Sequence, residues 1–285
     1  MSERVWRPPW PVDVGRVLFP LRRGPGDPAF QVVGDEFWRA SFTPAGPGTL
    51  ALVMRGQQVH GRAWGPGADW LLDGMPALLG ADDTPEALVP VDDVVRAAVA
   101  GRGGLRLGRT QRVWEAFVPA VLEQKVLGIE AQRAWRYLLR AFGEPAPGNP
   151  ELRVPPPREV WRQIPSWEWH RAGAEAVRAH TIINAARIDL EDAPAKLPLL
   201  PGVGVWTTAE VRQRAFGDPD ALSVGDYHLA GLVGWAMVGR KVDDAGMLEL
   251  LEPYAGQRHR VTRLLGGPRP PRRGPRLPVR DYRSF

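Results

Sequence analysis

The apolar pattern of this chain changes period near residue 73, and that change limits the fold to a sheet followed by helices. Over residues 11 to 64 apolar and polar residues alternate in "DVGRVLFPL", in "AFQVVGDEFWRASFT" with its Gly-Asp turn, and in "GTLALVMRGQQVHGRAWG". Alternation with period two describes half-buried strands, and short turns between them describe an antiparallel sheet. From Asp73 onward the spacing is helical, first in "TPEALVPVDDVVRAAVAG" and then in "TQRVWEAFVPAVLEQKVLGIEAQRAWRYLLRAFG", which Thr110 would open as N-cap. "GEPAPGNPELRVPPP", Gly143 to Pro157, is too rich in proline for either element and reads as a connector. Helical segments resume at "PREVWRQI", "WEWHRAGAEAVRAHTIINAARI", "TTAEVRQRAF", "DYHLAGLVGWAMV" and "DAGMLELLEPYAGQRHRVTRLL". The expectation is an α+β protein with a β-rich domain over 1–72, a helical core over 73–265, and a basic Pro/Arg tail over 266–285. No internal repeat is visible.

At 285 residues the chain is long enough for two modest cores. No run approaches the roughly 20 apolar residues of a bilayer span, and "MSERVWRPPWPVDV" does not resemble a secretory signal, so the expected location is the cytoplasm. The absence of cysteine excludes disulfides and thiolate metal sites, and His60, His170, His180, His228 and His259 show no ligand spacing; no metal is expected. The net charge is +5, and with only Lys125, Lys196 and Lys241 as lysines, 34 of the 37 basic residues are arginine. Such a composition reflects either GC-rich coding or a polyanionic partner, because guanidinium suits phosphate. The six arginines of the tail could follow a phosphate backbone or simply be solvated.

"LLPGVGVWTTAEV" places Gly202 and Gly204 in a tight turn ahead of a helix whose first turn is Val205 to Thr208. Glycine permits positive φ and close backbone approach. Amides there and at the helix N-terminus can point at a phosphate without reading sequence. An ordinary helix–helix connector has the same appearance, and the lysine-threonine pair of a nucleotide P-loop is missing. The second landmark is Asp226 in "SVGDYHLAG", which stands 22 residues after Gly204.

Together, "LPGVGVWTTAEV" and "ALSVGDYHL" resemble the hairpin and catalytic aspartate of the helix-hairpin-helix DNA glycosylases, most nearly DNA-3-methyladenine glycosylase II. "RPPWPVDVGRVLFPLRRG" with "EFWRASF" is similar to that subfamily's β-rich N-terminal domain, and "GLRLGRTQRVWEAFVPAVLEQKV" to its first core helices, so the likeness runs from about Arg7 to Leu265.

The resemblance implies a monomeric base-excision repair enzyme acting on double-stranded DNA that contains damaged bases. It would flip an alkylated purine such as 3-methyladenine or 7-methylguanine and hydrolyse it off, with no cofactor required. A monovalent cation on the hairpin carbonyls is also implied. Asp226 would stabilise the positive charge that develops on the sugar; read from the residues alone it is an N-cap for "YHLAGLVGW", and both roles can coexist. Leu200, Gly202, Val203 and Gly204 would grip the backbone. Gln124 or Lys125 would lie nearest the vacated stack, where the family's methyladenine members tend to have leucine, and Val126 or Leu127 are alternatives for the wedge. Trp206 would present an aromatic face to an electron-poor base. Glu210, one turn on, replaces a tyrosine and would favour a cationic base or else face solvent. With Trp206 where lyase-active relatives carry lysine, no Schiff-base step is expected.

Tyr227 and His228 would pack or touch phosphate, and Arg258 and Arg260 would touch DNA or form a solvated face. A second pocket tryptophan has no match in "EPYAGQRHRVTRLL". Two alternatives stay open: a non-catalytic DNA-binding lesion sensor, and a glycosylase for deaminated or oxidised bases.

Overall fold

The computed structural model describes residues 1–102, 104–191, 194–266 and 278–279. Five strands, β1 (Ser2–Trp6), β2 (Phe30–Val33), β3 (Glu36–Thr43), β4 (Gly46–Arg55) and β5 (Gln58–Trp64), form an antiparallel sheet in the order β1-β5-β4-β3-β2. Between β1 and β2 runs α1 (Val14–Leu18), and α2 (Ala68–Leu78) follows the sheet and lies on its inner face. Gly61 on β5 makes that approach possible: a Cβ there would sit 2.7 Å from Met75 Sδ. Leu50, Leu52, Val59 and Ala63 pack under Leu71, Leu72 and Met75, and each large apolar side chain so buried stabilises the fold by about 1.5–3 kcal/mol. The expected boundary after residue 72 therefore falls inside α2.

The helical part holds α3 (Asp93–Arg102), α4 (Val113–Leu122), α5 (Gly128–Phe142), α6 (Arg158–Gln163), α7 (Ser166–Ala172), α8 (Ala176–Ala185), α9 (Val205–Val211), α10 (Leu229–Val238), α11 (Asp244–Leu251) and α12 (Arg258–Leu265). These helices build two cores. One joins α4 to α9 around Phe117, Leu138, Trp161, Trp169, Ile182 and Val211; the other joins α3 to α10, α11 and α12 around Val95, Val233, Met247, Leu251 and Val261.

Three local expectations are corrected. "DVGRVLFPL" is not a strand but α1 plus a short 3-10 turn, because the Asp13 carboxylate accepts the Arg16 N–H at 2.9 Å and caps a helix there. The connector contains a small hairpin, β6 (Pro145–Ala146) with β7 (Asn149–Arg153), which turns through Pro147 and Gly148 and packs Ala146 and Leu152 beneath Ala40. Thr110 does not cap α4; its hydroxyl accepts the Arg112 N–H at 3.2 Å. The distant Glu191 takes the Val113 and Trp114 amides at 2.8 and 3.1 Å. Strand β1 lies in the stretch that the alternation over 11–64 leaves out. Apart from residues 266 and 278–279, the Pro/Arg tail lies outside the described residues.

Candidate nucleic-acid interface and active site

The hairpin belongs to the core that joins α4 to α9. The Leu200 carbonyl accepts the Val203 N–H at 3.0 Å, and Gly202 adopts φ +81°, in the left-handed region that glycine enters without penalty. A Cβ there would meet Thr181 Oγ1 of α8 at 2.4 Å. Val203 is buried and anchors the turn, while Gly202 and Gly204 are exposed. Gly204 stands at the N-terminus of α9 with no side chain capping it and open space where a Cβ would lie. The first-turn amides of α9 therefore have no partner within their own helix.

Gln124 fastens this hairpin to the end of α4. Its Nε2 donates to the Gly202 carbonyl at 2.9 Å and to Thr207 Oγ1 at 2.8 Å, and its own carbonyl accepts from Arg178 at 3.2 Å. Gln124 thus braces the turn, and the exposed residue beside it is Lys125, held at φ +54°. For a residue with a Cβ that conformation costs on the order of 1–3 kcal/mol, and it persists only where the surroundings impose it. Val126 and Leu127 are half-buried.

Asp226 sits in the loop before α10, facing the start of α9. Its Oδ1 accepts the amides of His228 and Leu229 at 2.8 and 2.9 Å, and its Oδ2 accepts the Trp206 indole N–H at 3.3 Å. The carboxylate is half-buried. It therefore caps the start of α10 with one oxygen and turns the other to the indole of the hairpin helix. Trp206 is itself half-buried, one side against the α4–α9 core. Tyr227 is 83% exposed, and its ring meets that of His228 edge-on, at 4.8 Å between centroids.

Glu210 does not face solvent. It is 9% exposed, its Oε2 accepts from Arg214 at 2.7 Å, and its Oε1 accepts from Ser223 Oγ at 2.6 Å. Gln213 donates to the same Ser223 hydroxyl at 2.9 Å, and the Asp226 N–H donates to the Ser223 carbonyl at 3.2 Å. Glu210 thus couples α9 to the loop that carries Asp226. Arg260 is neither a DNA contact nor part of a solvated face: it is 1% exposed and forms a buried ion pair with Asp83. Arg258 is engaged by Asp220, with Nε donating at 2.7 Å.

Sequence reasoning missed a cluster on α12 and the residues opposite it. His259 and Arg263, one turn apart, line a cavity of about 140 Å³ with Arg106, Gln213 and Arg214. The i, i+4 spacing of His259 and Arg263 was the available signal for this cluster, and Arg258 and Arg260 lie on other faces of the helix.

The resemblance implies a monovalent cation on the hairpin carbonyls, and each carbonyl oxygen there has two lone pairs. The Leu200 and Gly202 carbonyls each accept one hydrogen bond, which leaves each oxygen one lone pair free. Among the described residues no group of three or more His, Cys, Asp or Glu is placed to hold a metal, and no helix is long and apolar enough to cross a membrane.

No family model matches the chain. It is 31% identical over 176 residues to a "probable bifunctional transcriptional activator/DNA repair enzyme AlkA" of Mycobacterium tuberculosis, an alignment covering 53% of this chain. The chain spans about a third of that relative's length, 34%. Among solved structures it superposes on a 3-methyladenine DNA glycosylase from Archaeoglobus fulgidus with a TM-score of 0.75 at 16% identity, covering 92% of this chain and 97% of the other. An 8-oxoguanine glycosylase/lyase from Clostridium acetobutylicum, solved with double-stranded DNA containing cytosine opposite 8-oxoguanine, superposes with a TM-score of 0.67 at 11% identity, covering 89% and 90%. The chain has the fold of these DNA glycosylases, as its hairpin and aspartate resemblance implies.

Proposed function

We propose that this chain is a monofunctional DNA N-glycosylase of base-excision repair, working as a monomer in the cytoplasm on double-stranded DNA that contains a damaged base. The observation that carries the reading is the Asp226 carboxylate, divided between the first amides of α10 and the Trp206 indole beside a glycine hairpin. The relatedness to a probable DNA repair enzyme and the glycosylase fold support it.

In this reading Leu200 to Gly204 hold phosphate beside the lesion while Gln124 keeps the turn in shape and Lys125 projects toward the stack left by the extruded nucleotide. Asp226 stabilises the cationic sugar as the C1′–N bond breaks and orients a water molecule onto C1′. The base departs with the bonding pair, the water loses a proton, and an abasic site remains. No cofactor enters this chemistry. A lyase step needs an amine at the sugar, and residue 206 is tryptophan, so borohydride should trap no covalent adduct on lesion DNA.

Alkylated purines such as 3-methyladenine and 7-methylguanine are the substrates the sequence favours, through the face of Trp206. A second substrate class, deaminated or oxidised bases, is favoured by the arginine-lined cavity beyond Glu210. The primary test is release of free base from damaged duplex DNA by the purified protein and by Asp226→Asn. Release that the substitution abolishes supports the enzyme; binding without release by either protein supports a non-catalytic lesion sensor.

A further inference from the structure

The segment that joins α4 to α5 holds its one exposed side chain in an unusual posture. Lys125 has φ +54°, and its ammonium makes no hydrogen bond or ion pair among the described residues. A residue with a Cβ stays in the left-handed region only where its surroundings hold it there.

The residues on either side of Lys125 are tied to different parts of the molecule. The Gln124 carbonyl accepts Arg178 Nη1 of α8 at 3.2 Å, and Glu130 Oε2 accepts the Leu127 N–H at 3.0 Å. Glu123 is tied across 100 residues of sequence: its two carboxylate oxygens accept Arg23 Nη1 at 3.2 and 3.4 Å. Arg23 stands in the loop between α1 and β2, and only 6% of it is exposed. Burial draws its guanidinium below the usual arginine range, and Glu123 is the largest influence raising it.

The same loop also holds α5. Asp27 accepts the Arg23 amide at 2.7 Å on one oxygen and the Trp135 indole N–H at 2.9 Å on the other. The Pro25 carbonyl accepts Arg136 at 3.2 Å. Gly24, at φ +77°, lies so near α5 that a Cβ there would sit 2.1 Å from Gln132 Oε1. One loop of the sheet region therefore bridges the end of α4 and the body of α5, the two helices that Lys125 joins. Without that staple the turn is free to relax out of its left-handed posture.

We propose that Arg23 is a positioning residue for base extrusion: through Glu123 it stations Lys125 at the gap left in the duplex, which makes the sheet region part of the machinery that opens DNA. The proposal rests on the glycosylase reading. A side chain held ready at the gap lowers the cost of extruding a paired nucleotide and does nothing for one that has no partner to leave. An ion pair that served only to fasten the sheet would act alike on every substrate.

The test is single-turnover base release at saturating protein from two DNAs, each carrying one 7-methylguanine or one hypoxanthine. In the first the damaged base is paired in a duplex; in the second it stands in a one-nucleotide bulge with nothing opposite it. Arg23→Met with Glu123→Met replaces the pair by apolar side chains and should preserve the fold. The double variant should slow release from the paired duplex about tenfold and leave release from the bulge within about twofold of wild type. Arg23→Lys, which still reaches Glu123, should keep most of the wild-type rate on both DNAs. Lys125→Ala added to the double variant should slow the paired duplex little further, because both changes act on one step. Slowing of both DNAs alike, or of neither, overturns the proposal. If the double variant does not fold, Glu123→Ala, made at the more exposed end of the pair, carries the same comparison. The two failures are distinguishable: if the wild type releases base, Asp226→Asn abolishes that release and the pair variant affects both DNAs alike, only the role of Arg23 falls. If the wild type releases no base from either DNA, both fall.

Discussion

Trp206 does two things at once, and substitution can separate them. Its indole N–H donates to Asp226 at 3.3 Å while its ring offers a face near the hairpin. Trp206→Phe keeps an aromatic face and removes the donor. If the indole orients the carboxylate, kcat falls several-fold with KM little changed; if only stacking matters, KM rises instead, as steady-state kinetics on a lesion duplex will read. Gly202→Ala meets two obstacles, a left-handed φ and a Cβ 2.4 Å from Thr181 Oγ1. It should cost about 1–3 kcal/mol in denaturant unfolding and weaken DNA binding together with stability.

His259 gives a pH signature. Its folded-state value lies well below the ordinary 6.5 because burial and three arginines disfavour the imidazolium. Below about pH 6.5 the unfolded chain takes up a proton that the folded chain refuses. The stabilisation is thus fully present above that pH and is lost as the pH falls toward the folded-state value. Melting temperature should drop between pH 7 and 5, and His259→Gln should flatten that part of the curve.

At the level of elements, α9 and its hairpin are held from two sides, by Gln124 at the turn and by Glu210 through Ser223 at the Asp226 loop. Gln124→Ala removes two hydrogen bonds, should cost about 1–3 kcal/mol, and should lower DNA affinity more than it lowers the rate of base release at saturating DNA. α12 depends on the buried Arg260–Asp83 pair. Arg260→Met strands Asp83 without a counter-charge and should destabilise by about 3–5 kcal/mol in urea unfolding, whereas replacing both partners with apolar residues should recover most of that loss.

The hairpin and Asp226 were legible in the sequence because their signal is local: glycine spacing fixes the turn and Gly-Asp fixes the start of a helix. Strands β2 to β5 were legible for the same reason, since alternation and short turns specify register. What was not legible depends on partners distant in the chain. Glu210 looks like a surface acid until Arg214 and Ser223 are folded around it, and Arg260 looks like a DNA contact until Asp83, 177 residues away, arrives beside it. The α1 segment misleads because five residues of apolar alternation fit a strand as well as one helical turn, and only the Asp13 cap decides.

For the whole molecule, the site lies where two helical cores meet. The hairpin belongs to the α4–α9 core, and Asp226 precedes α10 of the other. Relative movement of the cores would therefore change the Trp206–Asp226 distance directly. With a net charge of +5, binding to undamaged duplex should weaken linearly in log–log salt titration, with a slope of about −0.9 for each phosphate engaged. Fluorescence anisotropy between 50 and 200 mM salt, a range set by roughly the usual window for such titrations, checks this. A flat titration would mean that the arginines serve folding alone.

The sheet is fastened to the helical part by charge as well as by packing. Glu115 of α4 receives Arg39, the Ser41 hydroxyl and the Phe42 amide, all from β3, while Asp27 takes the Trp135 indole of α5 at 2.9 Å. An engineer trimming the protein to its helices would strip every one of those donors from Glu115 and leave a naked acid in a greasy scar. The smallest portion able to stand alone therefore includes the strands.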